Sequence, residues 1–224
     1  MINKGAQLNP KVFDKDVEQI PSRNGFGEGL VLAAEENEAV VGLCADLKES
    51  TRMQAFAEKF PQRFIQVGVA EQNLATVGAG MALGGKIPFI ASYATFSPGR
   101  NWEQIRTTIC YNDVPVKIIG SHAGVSVGPD GATHQALEDM AIMRALPNMI
   151  VVSPADSIEA KKATQAIARL PGPCYMRLSR EKVPLITTEQ TPFEIGKAES
   201  FNEGSDVAVI ATGQMVYRAL MAAY

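Results

Sequence analysis

Several things are scarce in this chain, and each scarcity closes off a class of function. No apolar run reaches the ~18 residues that a membrane-spanning helix needs, so no membrane role is expected. The opening residues, Met1 to Gly5, lack the apolar core of a secretory signal. Basic charge is not in excess: 21 Lys and Arg face 24 Asp and Glu, for a net charge of −3. A nucleic-acid partner is therefore not expected. The three cysteines, Cys44, Cys110 and Cys174, fall in apolar segments and share no metal spacing. Buried free thiols and a reducing, cytoplasmic setting follow. Neither Gly-x-x-x-x-Gly-Lys-Ser/Thr nor a strand-linked Gly-x-Gly-x-x-Gly is present, which argues against a self-sufficient nucleotide site. A Gly-x-Ser-x-Gly turn is missing too, and two histidines alone make no zinc site.

What is present is an ordinary globular composition, 46% hydrophobic and 20% charged over 224 residues. Apolar runs alternate with helical patterns. Strands are expected over residues 39–44, 64–69, 87–96, 114–120, 149–154 and 173–178. Helices are expected over 27–37, 74–83, 102–111, 135–146 and 156–169. This order of elements predicts an α/β fold: a mostly parallel sheet with helices on both faces. Ligands of such sheets bind beyond the carboxyl ends of the strands. Gly78 and Gly80 lie inside a helix, where close packing is their expected use. A Thr- and Pro-rich stretch near residues 183–192 divides the chain at about residue 186. Residues 194–200 and 206–211 read as further strands and Gln214 as the start of a helix. One such helix with so little sheet cannot bury a core of its own. Residues 187–224 therefore read either as a segment docked on the first domain or, preferably, as a linker and the truncated start of a second α/β domain.

The stretch Val67-Gly68-Val69-Ala70-Glu71-Gln72-Asn73 places a carboxylate where an apolar strand hands over to an apolar helix. A Glu at a helix start suits the positive end of the helix dipole. Beside a strand that reads as buried it also needs a partner, because an unpaired buried charge is costly. The densest segment is residues 121–135, which holds both histidines, His122 and His134, and three glycines. A loop of that length in a compact domain is usually functional. Glu71, Phe96, His122, Arg177 and Arg180 all fall at or just after expected strand ends, so they share one rim.

Three ordered motifs carry a family resemblance: Gly68-Val69-Ala70-Glu71-Gln72-Asn73, Gly128-Pro129-Asp130-Gly131-Ala132-Thr133-His134-Gln135 and Arg177-Leu178-Ser179-Arg180. From Arg23 to Arg180 the chain resembles the pyrimidine-binding domain of transketolase, and residues from Phe193 resemble the beginning of the transketolase C-terminal domain. The resemblance implies a pyrimidine-binding domain over residues 1–186. It also implies the separate C-terminal subunit of a two-chain transketolase, moving a two-carbon ketol unit between sugar phosphates. The implied cofactor is thiamine diphosphate. A partner chain, the N-terminal subunit, would hold its diphosphate together with Mg²⁺ or Ca²⁺, and this chain would supply no metal ligand. Self-association into a heterotetramer is expected.

By the same resemblance, Glu71 hydrogen-bonds a ring nitrogen of the cofactor's aminopyrimidine and activates it. Phe96 stacks on that ring and Trp102 is a second aromatic of the pocket, with a plain core role as its alternative. Asp46 faces the thiazolium side or caps a helix. His134 and Asp130 read the donor's first hydroxyls, with His134 also moving a proton near the carbonyl. Arg23, Ser50, His122 and Arg180 hold the sugar phosphate, although Ser50 is equally placed to cap a helix and Arg180 to pair with Glu181. The rival readings are 1-deoxyxylulose-5-phosphate synthase, the β-subunit of 2-oxoacid dehydrogenases, and a non-catalytic assembly subunit.

Overall fold

In a computed structural model that describes residues 2–224, strands and helices alternate along the chain. They run β1 (Gln19–Pro21), α1 (Ser22–Glu36), β2 (Val40–Cys44), α2 (Gln54–Lys59), β3 (Phe64–Gln66), α3 (Glu71–Leu83), β4 (Ile87–Tyr93) and α4 (Trp102–Gln104). There follow β5 (Lys117–Ser121), α5 (Asp139–Arg144), β6 (Ile150–Val152), α6 (Ser157–Ala168), β7 (Cys174–Arg177), β8 (Lys182–Pro184) and α7 (Met215–Ala223). Six strands form one parallel sheet in the order β3-β2-β4-β5-β7-β6, and β1 pairs antiparallel with β8 beside it. The parallel α/β architecture expected from the sequence is borne out.

Alternation of side chains along each strand sorts the core into two layers. Val40, Cys44, Phe89, Ala91, Ile119, Cys174 and Met176 face α1, α2 and α6. Val41, Leu43, Ile90, Ile118 and Tyr175 face α3, α5 and residues 105–110. All three cysteines are free and buried. Two glycines let α1 press directly on α6: a Cβ on Gly25 would sit 1.8 Å from the Ser157 carbonyl oxygen, and one on Gly29 would sit 2.7 Å from that of Lys161. Gly78 likewise packs closely on β4, but Gly80 faces open space and serves no packing role.

Boundaries differ from expectation where backbone hydrogen bonding, not apolarity, decides them. The 102–111 helix forms, but beyond Gln104 it widens into a turn with i to i+5 bonding over residues 105–110. The 135–146 helix shrinks to α5, because residues 135–138 are held as loop by Ala136, whose carbonyl accepts from the Gly124 amide. Residues 194–200 and 206–211 do not form strands. Their pattern is right, but the isolated bridge near them, from Asn202 to Ile2, falls between the two segments and gives neither a ladder. Val207, Val209 and Ile210 are consequently exposed, Ile210 at 95%. α7 packs through Leu220, Val216 and Tyr217 on Val12, Ala155 and Ile186. Asp156 anchors the approach to this region: it caps α6 through the Glu159 amide and accepts from the Ile186 and Thr187 amides at 2.8 and 2.7 Å.

Lys117 is fully buried at the amino-terminal end of β5 and donates to the carbonyls of Leu170 and Gly172, both at 2.7 Å. It ties the end of α6 to the sheet at the rim opposite the candidate site. No helix among the described residues is long and apolar enough to cross a membrane.

Candidate functional site

The carboxyl ends of the parallel strands bring most of the sequence-selected residues together. Asp46 follows β2, Glu71 opens α3 after β3, Phe96 follows β4, His122 follows β5 and Arg180 follows β7. Register does the positioning. β4 and β5 align Tyr93 with Ser121, so His122 emerges beside Tyr93 and stacks on it with ring centroids 3.8 Å apart.

β3 proves to be a half-buried edge strand, not the buried one expected. Glu71 is nonetheless only 5% exposed. It is covered because residues 97–101 fold over it. Asn101 donates to the Glu71 backbone carbonyl at 2.8 Å and to Ser97 Oγ at 3.1 Å. The carboxylate has a partner within the chain: Arg100 Nη1 lies 3.1 Å from Oε1 and 3.3 Å from Oε2. The same guanidinium sits 4.1 Å above the Phe96 ring. Phe96 in turn stacks 5.7 Å from Tyr93 and meets the edge of His134 at 5.3 Å. A continuous run of contacts thus links Glu71 through Arg100, Phe96 and Tyr93 to His122 and His134.

At the far end of that run is a basic corner. Arg23, in the first turn of α1, donates from Nη1 to the Ser50 carbonyl at 2.8 Å and contacts His122 Nε2 at 3.1 Å. A guanidinium only donates, so His122 Nε2 must accept. Its proton is then on Nδ1, 2.8 Å from the Ser121 hydroxyl, which accepts it. Burial, reinforced by the nearby charges of Arg23, Arg180 and Arg52, lowers the His122 pKa from 6.5 to about 3. His122 is a neutral acceptor at any physiological pH. Arg23 Nε is buried without a partner, so this corner still has a donor to offer. Burial first, then Arg52 and Arg180, lowers the Arg23 pKa from its ordinary value.

The remaining candidates are placed as follows. Arg180 reaches the Val127 carbonyl at 3.1 Å and pairs with Glu181 at 3.0 Å, the alternative that its position in the sequence suggested. Ser50 contributes its carbonyl to Arg23, and its hydroxyl does not cap α2. Asp46 is exposed, with a left-handed φ of 60°, and is no helix cap; its amide donates to Gln66. Asp130 is exposed on the 121–135 loop. His134 Nδ1 lies 2.8 Å from the Thr133 hydroxyl. Trp102 packs against the second core layer and donates its indole N–H to the Ile142 carbonyl at 2.9 Å.

Four participants went unread in the sequence: Tyr93, Arg100, Asn101 and Arg52. Tyr93 was absorbed into an apolar strand, although an aromatic at a strand's carboxyl end was a usable signal. Arg100 and Asn101 follow a Gly at the end of a turn, where a charged and an amide side chain facing a buried Glu could have been paired with it. The loop itself is secured from below: Asp139, only 1% exposed, accepts from Tyr175 at 2.7 Å and from Arg177 Nε at 3.1 Å. Arg177 Nη2 also reaches the Ala136 carbonyl at 3.4 Å.

Residues 18–185 match the family described as transketolase, pyrimidine binding domain. A protein of Methanocaldococcus jannaschii named for the C-terminal section of transketolase is 46% identical over 89% of this chain and 64% of its own length. A 6-deoxy-6-sulfo-D-fructose transketolase subunit of a Clostridium species is 38% identical over 94% of this chain and 66% of its own. A solved structure described as a split gene transketolase, an inactive beta4 tetramer, superposes with a TM-score of 0.84 at 44% identity, over 92% of this chain and 67% of that one. The chain belongs to the transketolase pyrimidine-binding domain family. It spans under two thirds of the length of those two relatives, 64% and 66%.

Proposed function

We propose that this chain is the pyrimidine-binding subunit of a two-chain, thiamine diphosphate-dependent transketolase, with residues 1–186 as that domain and 187–224 as the linker and beginning of the next. The observation that carries the reading is the convergence, through Arg100, of a buried carboxylate, Glu71, and a half-buried aromatic ring, Phe96, on the carboxyl rim of a parallel sheet. That donor set fits the aminopyrimidine end of the cofactor: one acid for a ring nitrogen and one apolar plane for the ring. It does not fit the other end. Among the described residues no three His, Cys, Asp or Glu side chains are grouped to hold a metal. A partner subunit would hold the diphosphate and its Mg²⁺ or Ca²⁺. Bound there, thiamine diphosphate supplies the electron sink for cleaving a bond beside a carbonyl.

The chain's own residues would then divide the remaining work. Glu71, fixed through its backbone by Asn101, places its carboxyl at the ring nitrogen. His134, turned edge-on to Phe96, holds or moves a proton at the donor's carbonyl oxygen, and Asp130 reads the adjacent hydroxyl. Arg23, with its unpartnered Nε, binds the sugar phosphate together with Arg180 and the Ser50 segment, and His122 holds Arg23 in place as a neutral acceptor. Arg52 adds charge to the same corner. A guanidinium fork suits a phosphate. Asp46 lines the thiazolium side. Trp102 has its N–H committed to the core, which favours a supporting role behind the pocket wall.

The experiment is reconstitution with the diphosphate-binding partner, thiamine diphosphate and Mg²⁺. Transfer from xylulose 5-phosphate to ribose 5-phosphate is expected, with Glu71→Gln lowering it by orders of magnitude while the complex still assembles. Turnover of only pyruvate with glyceraldehyde 3-phosphate would assign the chain to a 1-deoxyxylulose-5-phosphate synthase instead. Normal turnover by Glu71→Gln would remove Glu71 from the mechanism.

A further inference from the structure

We infer that Arg100 is an internal stand-in for the cofactor ring: its guanidinium occupies the position that an aminopyrimidine would take, so cofactor entry requires Arg100 to leave. The inference rests on the proposed function. Three observations carry it. First, one group of Arg100 makes both contacts assigned to the ring, an N–H directed at the Glu71 carboxylate at 3.1 and 3.3 Å and a planar face 4.1 Å from Phe96. A guanidinium and an aminopyrimidine carrying a proton on its ring nitrogen are both flat, and both present an N–H to an acid at the edge and a face to an aromatic below. Second, the two arrangements exclude each other. With Nη1 shared between Oε1 and Oε2, and the guanidinium lying on Phe96, neither the acid nor the ring face is open to a second planar group. Third, the parts differ in mobility in the way that a displaceable stand-in requires. Glu71 is buried and tied down by Asn101, and the Arg100 backbone is held by its amide N–H, which donates to the Phe96 carbonyl at 2.8 Å. The preceding Gly99 is packed closely, since a Cβ there would lie 1.9 Å from the Thr95 carbonyl oxygen. The Arg100 side chain, by contrast, is 50% exposed and attached through a flexible stem.

The consequence is a tax on affinity. When only a fraction of molecules is open, the apparent dissociation constant rises by the reciprocal of that fraction. A partly exposed ion pair together with a surface cation–π contact sets that fraction, and their usual strengths put the tax at about three- to thirtyfold. The stand-in also keeps the buried acid partnered, which an open pocket would not.

The test uses the chain assembled with its diphosphate-binding partner and Mg²⁺. Thiamine diphosphate binding is followed by calorimetry and stopped-flow fluorescence for wild type, Arg100→Gln and Arg100→Met. Both variants should bind about three- to thirtyfold more tightly, with most of the gain in the association rate. Thermal melting of the variants shows whether they are folded, and Arg100→Met retains an apolar stem over Phe96. Equal or weaker binding by both folded variants overturns the inference and makes Arg100 a clamp for Glu71. If wild type and variants alike bind no thiamine diphosphate, the proposed function itself falls, and the inference with it.

Discussion

Lowering the pH should weaken this fold through one histidine, and the size of the effect follows from where that histidine sits. His122 is 1% exposed and receives a hydrogen bond from Arg23 on Nε2. Its pKa is about 3 in the folded chain, against ~6.5 for a histidine in an unfolded one. Between those values the unfolded state binds a proton that the folded state refuses. Stability is therefore unaffected above about pH 6.5 and falls as the pH drops below it, by ~1.4 kcal/mol per pH unit. From pH 6.5 to 5 the expected loss is about 2 kcal/mol, a large part of the ~5–15 kcal/mol that holds a domain together. Carboxylates titrate over the same window, so the comparison must isolate the imidazole. His122→Asn is the suitable variant: Asn tolerates the left-handed backbone found there, φ 59°, and keeps an acceptor for Arg23. Urea unfolding at half-unit pH steps should show the wild type losing about 2 kcal/mol more than His122→Asn over that interval. NMR of the imidazole should show no protonation of the folded protein down to pH 5. Parallel stability curves for the two proteins would refute the neutral-acceptor assignment.

The packing gives two further expectations. Gly25→Ala forces a methyl group to 1.8 Å from a backbone oxygen of α6 and should cost ~1–3 kcal/mol or more in urea unfolding, whereas Gly80→Ala, on the open side of α3, should gain ~0.5–1 kcal/mol. Equal effects would mean that α1 and α6 are not in the close contact described. Tyr175→Phe removes a donor to the buried Asp139 carboxylate and should cost ~1.5–3 kcal/mol by the same assay, and an unchanged midpoint would dissolve that network.

The fold was legible because a buried parallel sheet writes itself as apolar runs separated by helices, and its rim could be inferred from where those runs stop. Phe96 and His122 were readable on that basis. Arg100 was not, because its partner Glu71 lies 29 positions earlier and only the fold-over of residues 97–101 brings the two together. Arg52 was missed for a related reason: it reaches the basic corner from an irregular segment with a left-handed φ of 68°, which no periodicity announces. The expected strands at 194–200 and 206–211 erred in the other direction. A strand pattern states what a segment could pair with, and Val207 and Ile210 show that pattern without a pairing neighbour among the described residues.

The first residue of a helix is ordinarily the first to fray, since its amide has no intrahelical partner. Glu71 holds that position in α3, yet its carbonyl is pinned by Asn101, which in turn is pinned to Ser97. Fraying of this turn is thereby coupled to opening of a segment thirty positions away. Amide hydrogen exchange at the start of α3 should report that distant clasp and not the local helix, and the Glu71 carboxylate inherits the clasp's lifetime as its own.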